Sequence, residues 1–267
     1  MPIIRHRAAL QCLVAVRGHP FDRTAFDGMF QAMEGLSATM VDQPAAARLM
    51  SPEGMRGFDV LVLYDMPGLD FEAGAEEAPP LYRDPSPELR DGLRRLLEQG
   101  TGIVALHHAL AGWPTWGDYH EWLGGQFLYH PGPVRGEHWP DSGYRHDVTH
   151  EISIEQDHPV TAGLPPHFTL VDELYLCPIF PEGATPLLRS SAAFTRDHFW
   201  SAELAVSGQM FTREGWDHPD GSNVIGWAKQ ALASRLVYLQ PGDGAAVYND
   251  PNYRRLVENA IRWVADR

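Results

Sequence analysis

Near-continuous apolar runs alternate along the chain with stretches whose apolar residues recur every three or four positions. Ala8 to Val16 is the first run and ends at Arg17-Gly18-His19-Pro20. A run without polar alternation suits a strand covered on both faces, as in parallel sheets. Phe21, Phe26, Met29, Phe30 and Met33 follow at helical spacing. Phe58 to Asp65 is a second run, stopped by Met66-Pro67-Gly68. A helix is predicted from Ser86-Pro87, with Pro at its first position, Glu88 in its first turn, Leu89, Leu93, Leu96 and Leu97 on one face, and Gly100 as its stop. Thr101 to Leu106 is a third strand and delivers His107 and His108 at its carboxyl end. Trp116 to Leu123 reads as a short helix closed by Gly124-Gly125.

Residues 70 to 87, with Glu76-Glu77 and four prolines, read as a loop excursion within a domain. From His130 to Pro186 the pattern changes to short alternating segments such as Val148 to Ile154, broken by Pro and Gly, which predicts an inserted antiparallel lobe. Val224 to Ala228 and Arg235 to Leu239 read as paired strands, and Asn252 to Arg267 as a closing helix with Leu256, Ala260, Ile261, Trp263 and Val264 in its stripe. This order predicts one α/β domain over 1–267, three layers around a mostly parallel sheet, with the antiparallel lobe inserted at about 130–186. Ligands of such sheets bind outside the carboxyl ends of the strands. Gly18-His19, Asp65-Met66, His107-His108 and Gln240-Pro241-Gly242-Asp243 should therefore converge.

With 267 residues, 44% of them hydrophobic, the chain can fill a full core. Its net charge of −14 repels phosphate backbones, so nucleic acid is not an expected partner. Lys229 is the single lysine among 21 Lys and Arg, which removes the usual P-loop and Schiff-base chemistries unless that one residue carries them, and no nucleotide cofactor is indicated. Thirteen histidines pull the other way, offering metal ligands and proton carriers near neutral pH. Cys12 and Cys177 lie in apolar runs without CxxC spacing and read as buried free thiols. Arg5 and Arg7 precede an apolar run too short for a leader, and no run reaches the ~18 apolar residues of a membrane helix, so a cytoplasmic protein without membrane partners is expected. Self-association is left open.

His107 is the strongest chemical signal, because a strand that ends in two imidazoles puts one of them at the mouth of the sheet while its neighbour turns inward. Trp113, Trp116 and Trp122, with Tyr119, His120 and Glu121 among them, offer flat apolar faces beside polar handles, which suit sugar rings. His130, His138, His146, Asp147 and His150 add potential ligands without a metal spacing such as HExxH. Asp172-Glu173 is a pair of acids in an apolar stretch, the setting of a histidine partner or a general base.

Several of these segments in order resemble the trehalose-utilisation (ThuA-like) family. They are Gly102 to His107, Trp122-Leu123-Gly124-Gly125-Gln126-Phe127, His130-Pro131, Asp157-His158-Pro159-Val160-Thr161-Ala162-Gly163-Leu164-Pro165, Asp172-Glu173-Leu174-Tyr175 and Asn259-Ala260-Ile261-Arg262-Trp263. The resemblance covers nearly the whole chain and implies the flavodoxin-like fold of class I glutamine amidotransferases. His107 stands where those enzymes carry a nucleophilic cysteine, so glutamine hydrolysis is not expected. The chain departs from the family's usual pattern at Leu232-Ala233-Ser234-Arg235 before the last strand and at Gly242-Asp243 after it, where relatives have a Gly-His. The resemblance implies a small-molecule sugar ligand, namely a sugar or keto-sugar related to trehalose glycosides. His107 and Glu173 are the expected proton carriers, His19, Trp113, Trp116, Trp122, Asp172 and Asp243 the expected binding residues, and His107, His108 and His130 the candidate ligands of a divalent metal such as zinc. A non-catalytic sugar-binding or sensing module is the alternative, which Asp243 in place of the histidine would suit.

Overall fold

A computed structural model describes residues 10–72 and 79–266. Arg5, Arg7, Ala8, Glu76, Glu77 and Arg267 lie outside the described residues. The first half runs β1 (Leu10–Arg17), α1 (Arg23–Gln31), β2 (Leu36–Asp42), β3 (Val60–Asp65), α2 (Pro87–Glu98), β4 (Gly102–Leu106) and α3 (Gly117–Leu123). The second half runs β5 (Gly143–Ile154), β6 (His167–Leu176), β7 (Ala184–Ser190), β8 (Val224–Ala231), β9 (Ser234–Leu239) and α4 (Pro251–Ala265). The caps are those the sequence supplies. Asp22 accepts from the Ala25 amide at α1, Ser86 from Leu89 at α2, and Asp250 from Asn252 and Tyr253 at α4, with Pro87 and Pro251 opening their helices.

The strands form one sheet in the order β6, β5, β7, β8, β9, β4, β3, β1, β2. From β9 to β2 every pairing is parallel, and from β6 to β9 every pairing is antiparallel. The segment predicted as an inserted lobe is antiparallel as its alternation requires, and it is joined to the main sheet: β7 pairs with β8, so β5, β6 and β7 extend the layer. The two-residue strand Trp200–Ser201 pairs with β5 as well.

Alternate residues of the central strands feed two cores. Cys12, Val14 and Val16 of β1, Val62 and Tyr64 of β3, and Val104 and Leu106 of β4 face α1 and α4, packing with Phe26, Met29, Leu256 and Ile261. Leu13, Ala15, Leu61, Leu63, Ile103 and Ala105 face α2 and α3, packing with Leu93, Leu97, Trp116 and Trp122. This is the three-layer α/β architecture expected from the runs, with both faces of the parallel half covered. Cys12 and Cys177 are buried free thiols.

Candidate functional site

The strand ends nominated by the sheet rule meet. After β4 the chain turns at once into a 3-10 turn, His107–Ala111. His107 makes that turn with φ of 47°, a left-handed conformation unfavourable for a side chain with a Cβ. The elbow is held from several sides: Tyr238 donates to the His107 carbonyl at 2.8 Å and Tyr119 to the Ala109 carbonyl at 3.1 Å. A strained residue fixed by its surroundings belongs to the class of backbone features that gathers at active sites.

The imidazole of His107 is fully buried. Its Nδ1 lies 2.7 Å from the Gln240 carbonyl, which can only accept, so Nδ1 carries a proton and donates it. Its Nε2 points into the site, 2.7 Å from Tyr175 Oη, 3.2 Å from Glu173 Oε2 and 3.5 Å from Asp243 Oδ1. Burial works against a charged ring here, but Asp243, Glu173 and Asp172 outweigh it and hold the pKa up at about 10. The result is an imidazolium set between two carboxylates. Asp243, half-buried, is pushed up by burial yet ends below its ordinary value because His107 hydrogen-bonds it and His107, His19 and His146 attract its charge.

Asp172 sits behind this pair as a strut. Its carboxylate accepts from the amides of Gly242 (2.7 Å), Asp243 (3.1 Å) and Glu173 (2.9 Å), tying the loop after β9 to β6. Burial raises its pKa to about 6 against the pull of His107 and those amides. Gln240 completes the frame: its Oε1 accepts from the Tyr175 amide at 3.1 Å while its carbonyl holds His107.

A cavity of about 140 Å³ opens above these groups, lined by His19, His108, Glu173, Tyr175, Tyr144, His146, Phe127, Tyr129, Met66, Met210 and three alanines. No Arg or Lys is among these described lining residues, which suits a neutral polar ligand better than an anion. Tyr175 stacks on His107 at 4.8 Å, and His146 Nδ1 lies 3.3 Å from Glu173 Oε1. His108 is a wall residue, packed against Tyr64 at 4.4 Å and His19 at 4.9 Å. Burial drives its pKa well below the usual histidine value, and neither ring nitrogen has a hydrogen-bond partner.

His107, Glu173, His19 and Asp243 therefore come together, and other sequence candidates do not join them. Trp116 and Trp122 are buried in the core beneath α3, edge to face at 5.3 Å. Trp113 borders a separate groove with Met50, Leu89 and Arg95. The tryptophan cluster is thus no platform in this pocket, because the helical spacing of 116, 119 and 122 serves docking of α3 on the sheet. Asp172 faces backbone amides instead of the cavity. His130 borders another groove, its Nδ1 3.3 Å from Glu203 and its Nε2 3.2 Å from the Pro80 carbonyl, so it cannot share a metal with His107. His19, Glu173 and Asp243 each offer a donor atom within 4.8 Å of one another and are the described group able to share an ion. One imidazole and two carboxylates suit zinc or manganese, and His19 Nδ1 is buried without a partner. Sequence reading gave no role to Tyr175, Tyr144 or Tyr129 in the pocket. Strand alternation could have found two of them, since Tyr175 lies two residues from Glu173 and Tyr144 two from His146.

Solved structures with this fold include a ThuA-like protein from Parabacteroides merdae, with a TM-score of 0.63 at 12% identity over 96% of this chain and 90% of that one. Another is a ThuA-like protein from Bacteroides uniformis, with a TM-score of 0.58 at 18% identity over 99% and 95%. A GMP synthase protein from Thermoplasma acidophilum matches with a TM-score of 0.50 at 12% identity over 97% and 96%, which places the architecture with the class I glutamine amidotransferase-like fold. No curated protein matches the sequence. The family model for ThuA, trehalose utilisation, matches residues 18–264, and the chain belongs to that family.

Proposed function

We propose that the pocket takes a sugar or keto-sugar related to trehalose glycosides and that His107 and Glu173 move protons on it. The observation that carries this reading is Glu173 in the lining of a cavity walled by tyrosines, its Oε2 3.2 Å from Nε2 of the buried His107 behind it. Trehalose utilisation, the description of the family, supports the sugar. Three groups would divide the work. Glu173 accepts a proton from a substrate carbon or hydroxyl; the His107 imidazolium, held by Gln240, is the acid that returns one from Nε2; and Tyr175, 2.7 Å from that nitrogen, relays it through its hydroxyl to a substrate oxygen. A divalent cation such as zinc gives a second arrangement: held by His19, Glu173 and Asp243, it would polarise a substrate oxygen, with Glu173 then serving as a ligand and not as the base. Two structures of cytoplasmic proteins from Salmonella typhimurium share the fold, which supports a cytoplasmic location.

Incubation with trehalose, its 3-keto derivative and related glycosides, followed by NMR, should give new products. E173Q should slow their formation by about 10²–10⁴-fold, the usual contribution of a positioned acid or base. Saturable binding without products would instead favour a sugar-binding module, the reading suited by Asp243 where relatives carry a histidine. Absence of both binding and turnover would overturn the sugar reading. Removal of metal by chelation, and its return as zinc, should change the rate in the wild type and leave H19A unchanged.

A further inference from the structure

The size of the cavity sets a limit on what it encloses. At about 140 Å³ it resembles the ~150 Å³ holes that take one benzene ring, and falls short of the ~300–1,000 Å³ of pockets that enclose larger ligands. A glycoside of two rings must leave one of them at the mouth.

The mouth carries an unusual residue. Met210 lines the wall, and Phe211 beside it is 55% exposed, one of the few large apolar side chains left to solvent among the described residues. Phe211 also has φ of 59°, which is costly for a bulky side chain and natural for glycine. Its amide donates to Tyr144 Oη at 3.0 Å, and Tyr144 lines the pocket. Its ring stands 5.2 Å from Trp200, 6.2 Å from His146 and 6.4 Å from Tyr144. Folding alone gives no reason to hold an aromatic ring both strained and half in water. A ligand would supply one, because a flat exposed ring beside a mostly apolar pocket that holds a few polar groups, Glu173 and His146 among them, is a surface that sugars stack on.

We propose that Phe211, backed by Trp200 and Tyr144, is the platform for the second ring of a two-ring glycoside whose first ring enters the cavity. The assignment rests on the sugar reading and adds to it the residue that holds the second ring.

Calorimetric titration of the full chain with methyl α-glucoside and with trehalose tests both. Trehalose should bind wild type more tightly. F211A should weaken trehalose about three- to tenfold, the worth of one aromatic contact, and change methyl α-glucoside by less than about twofold. F211W should keep the trehalose affinity. F211G should match F211A in binding while its melting temperature stays level or rises, because glycine relieves the positive φ. Equal losses for the two ligands, no loss for either, or a large drop in stability of F211G would overturn the platform and leave the sugar reading standing. Failure of both ligands to bind wild type would overturn the two together.

Discussion

A single imidazole decides the electrostatics of the site. His107 is the counter-charge for Glu173 and Asp243, and Glu173 itself is almost wholly buried. Truncating one partner of such a pair leaves the other charge in a poor solvent, at a cost of about 3–5 kcal/mol. H107A should therefore lower the urea midpoint strongly, and E173Q placed on H107A should recover part of the loss. Strict additivity of the two substitutions would show that the ring and the carboxylate are not coupled. Histidine at this position was legible from sequence, because an apolar strand ending in imidazoles can face nowhere but the sheet mouth. Tyr175 was not, since nothing in an apolar stretch distinguishes a ring that packs from one whose hydroxyl oxygen also accepts from Nε2. The tryptophans err in the opposite direction. Their aromatic faces suit a sugar, yet Trp116 and Trp122 are core residues, and composition cannot separate a docking stripe from a platform.

Strands and loops place that imidazole, and the loop after β9 is tightly constrained. Gly242 has φ of 139°, and a Cβ there would come within 2.5 Å of Tyr253 Oη and 3.5 Å of His107 Cβ. Its amide is bound by Asp172 and its carbonyl by Tyr64 Oη at 2.9 Å. G242A must shift the loop that carries Asp243, and should cost about 1–3 kcal/mol of stability. G244A is the control, since its added Cβ meets nothing within 4 Å; it should stay within about 0.5 kcal/mol. Equal stability of the two variants in urea would refute the constraint. At this scale the parallel half was readable, because unbroken apolar runs and capped helices fix each element locally. The joining of β7 to β8 was not, because pairing between strands distant in sequence leaves no local pattern. β2 also escaped, its half-buried edge residues giving no clean run.

The whole molecule sets two opposed demands as pH falls. With a net charge of −14 and a pI of about 5.3, mild acid reduces self-repulsion and by itself favours the folded state. Buried histidines act against it. Burial lowers the pKa of His120 to about 4, against smaller upward pulls from the Trp113 and Gly125 backbone and from Glu121, and it does the same to His150. Unfolded, both titrate near 6.5, so below that pH the unfolded chain binds protons that the folded chain refuses. Stability due to these two is complete above about pH 6.5 and drains away toward pH 4, by up to ~1.4 kcal/mol per pH unit for each. Asp65 and Asp172, both raised by burial to about 6, oppose this at the lower end, because folded they accept protons before the unfolded chain does. The loss should therefore be steepest just below pH 6.5 and flatten below pH 6. Urea unfolding at pH 7.5, 6.2 and 5.0 should show stability falling toward the pI, with the slope reduced in the H120Q/H150Q variant. A maximum near pH 5.3 would mean that net charge governs the molecule and that these imidazoles are not held neutral.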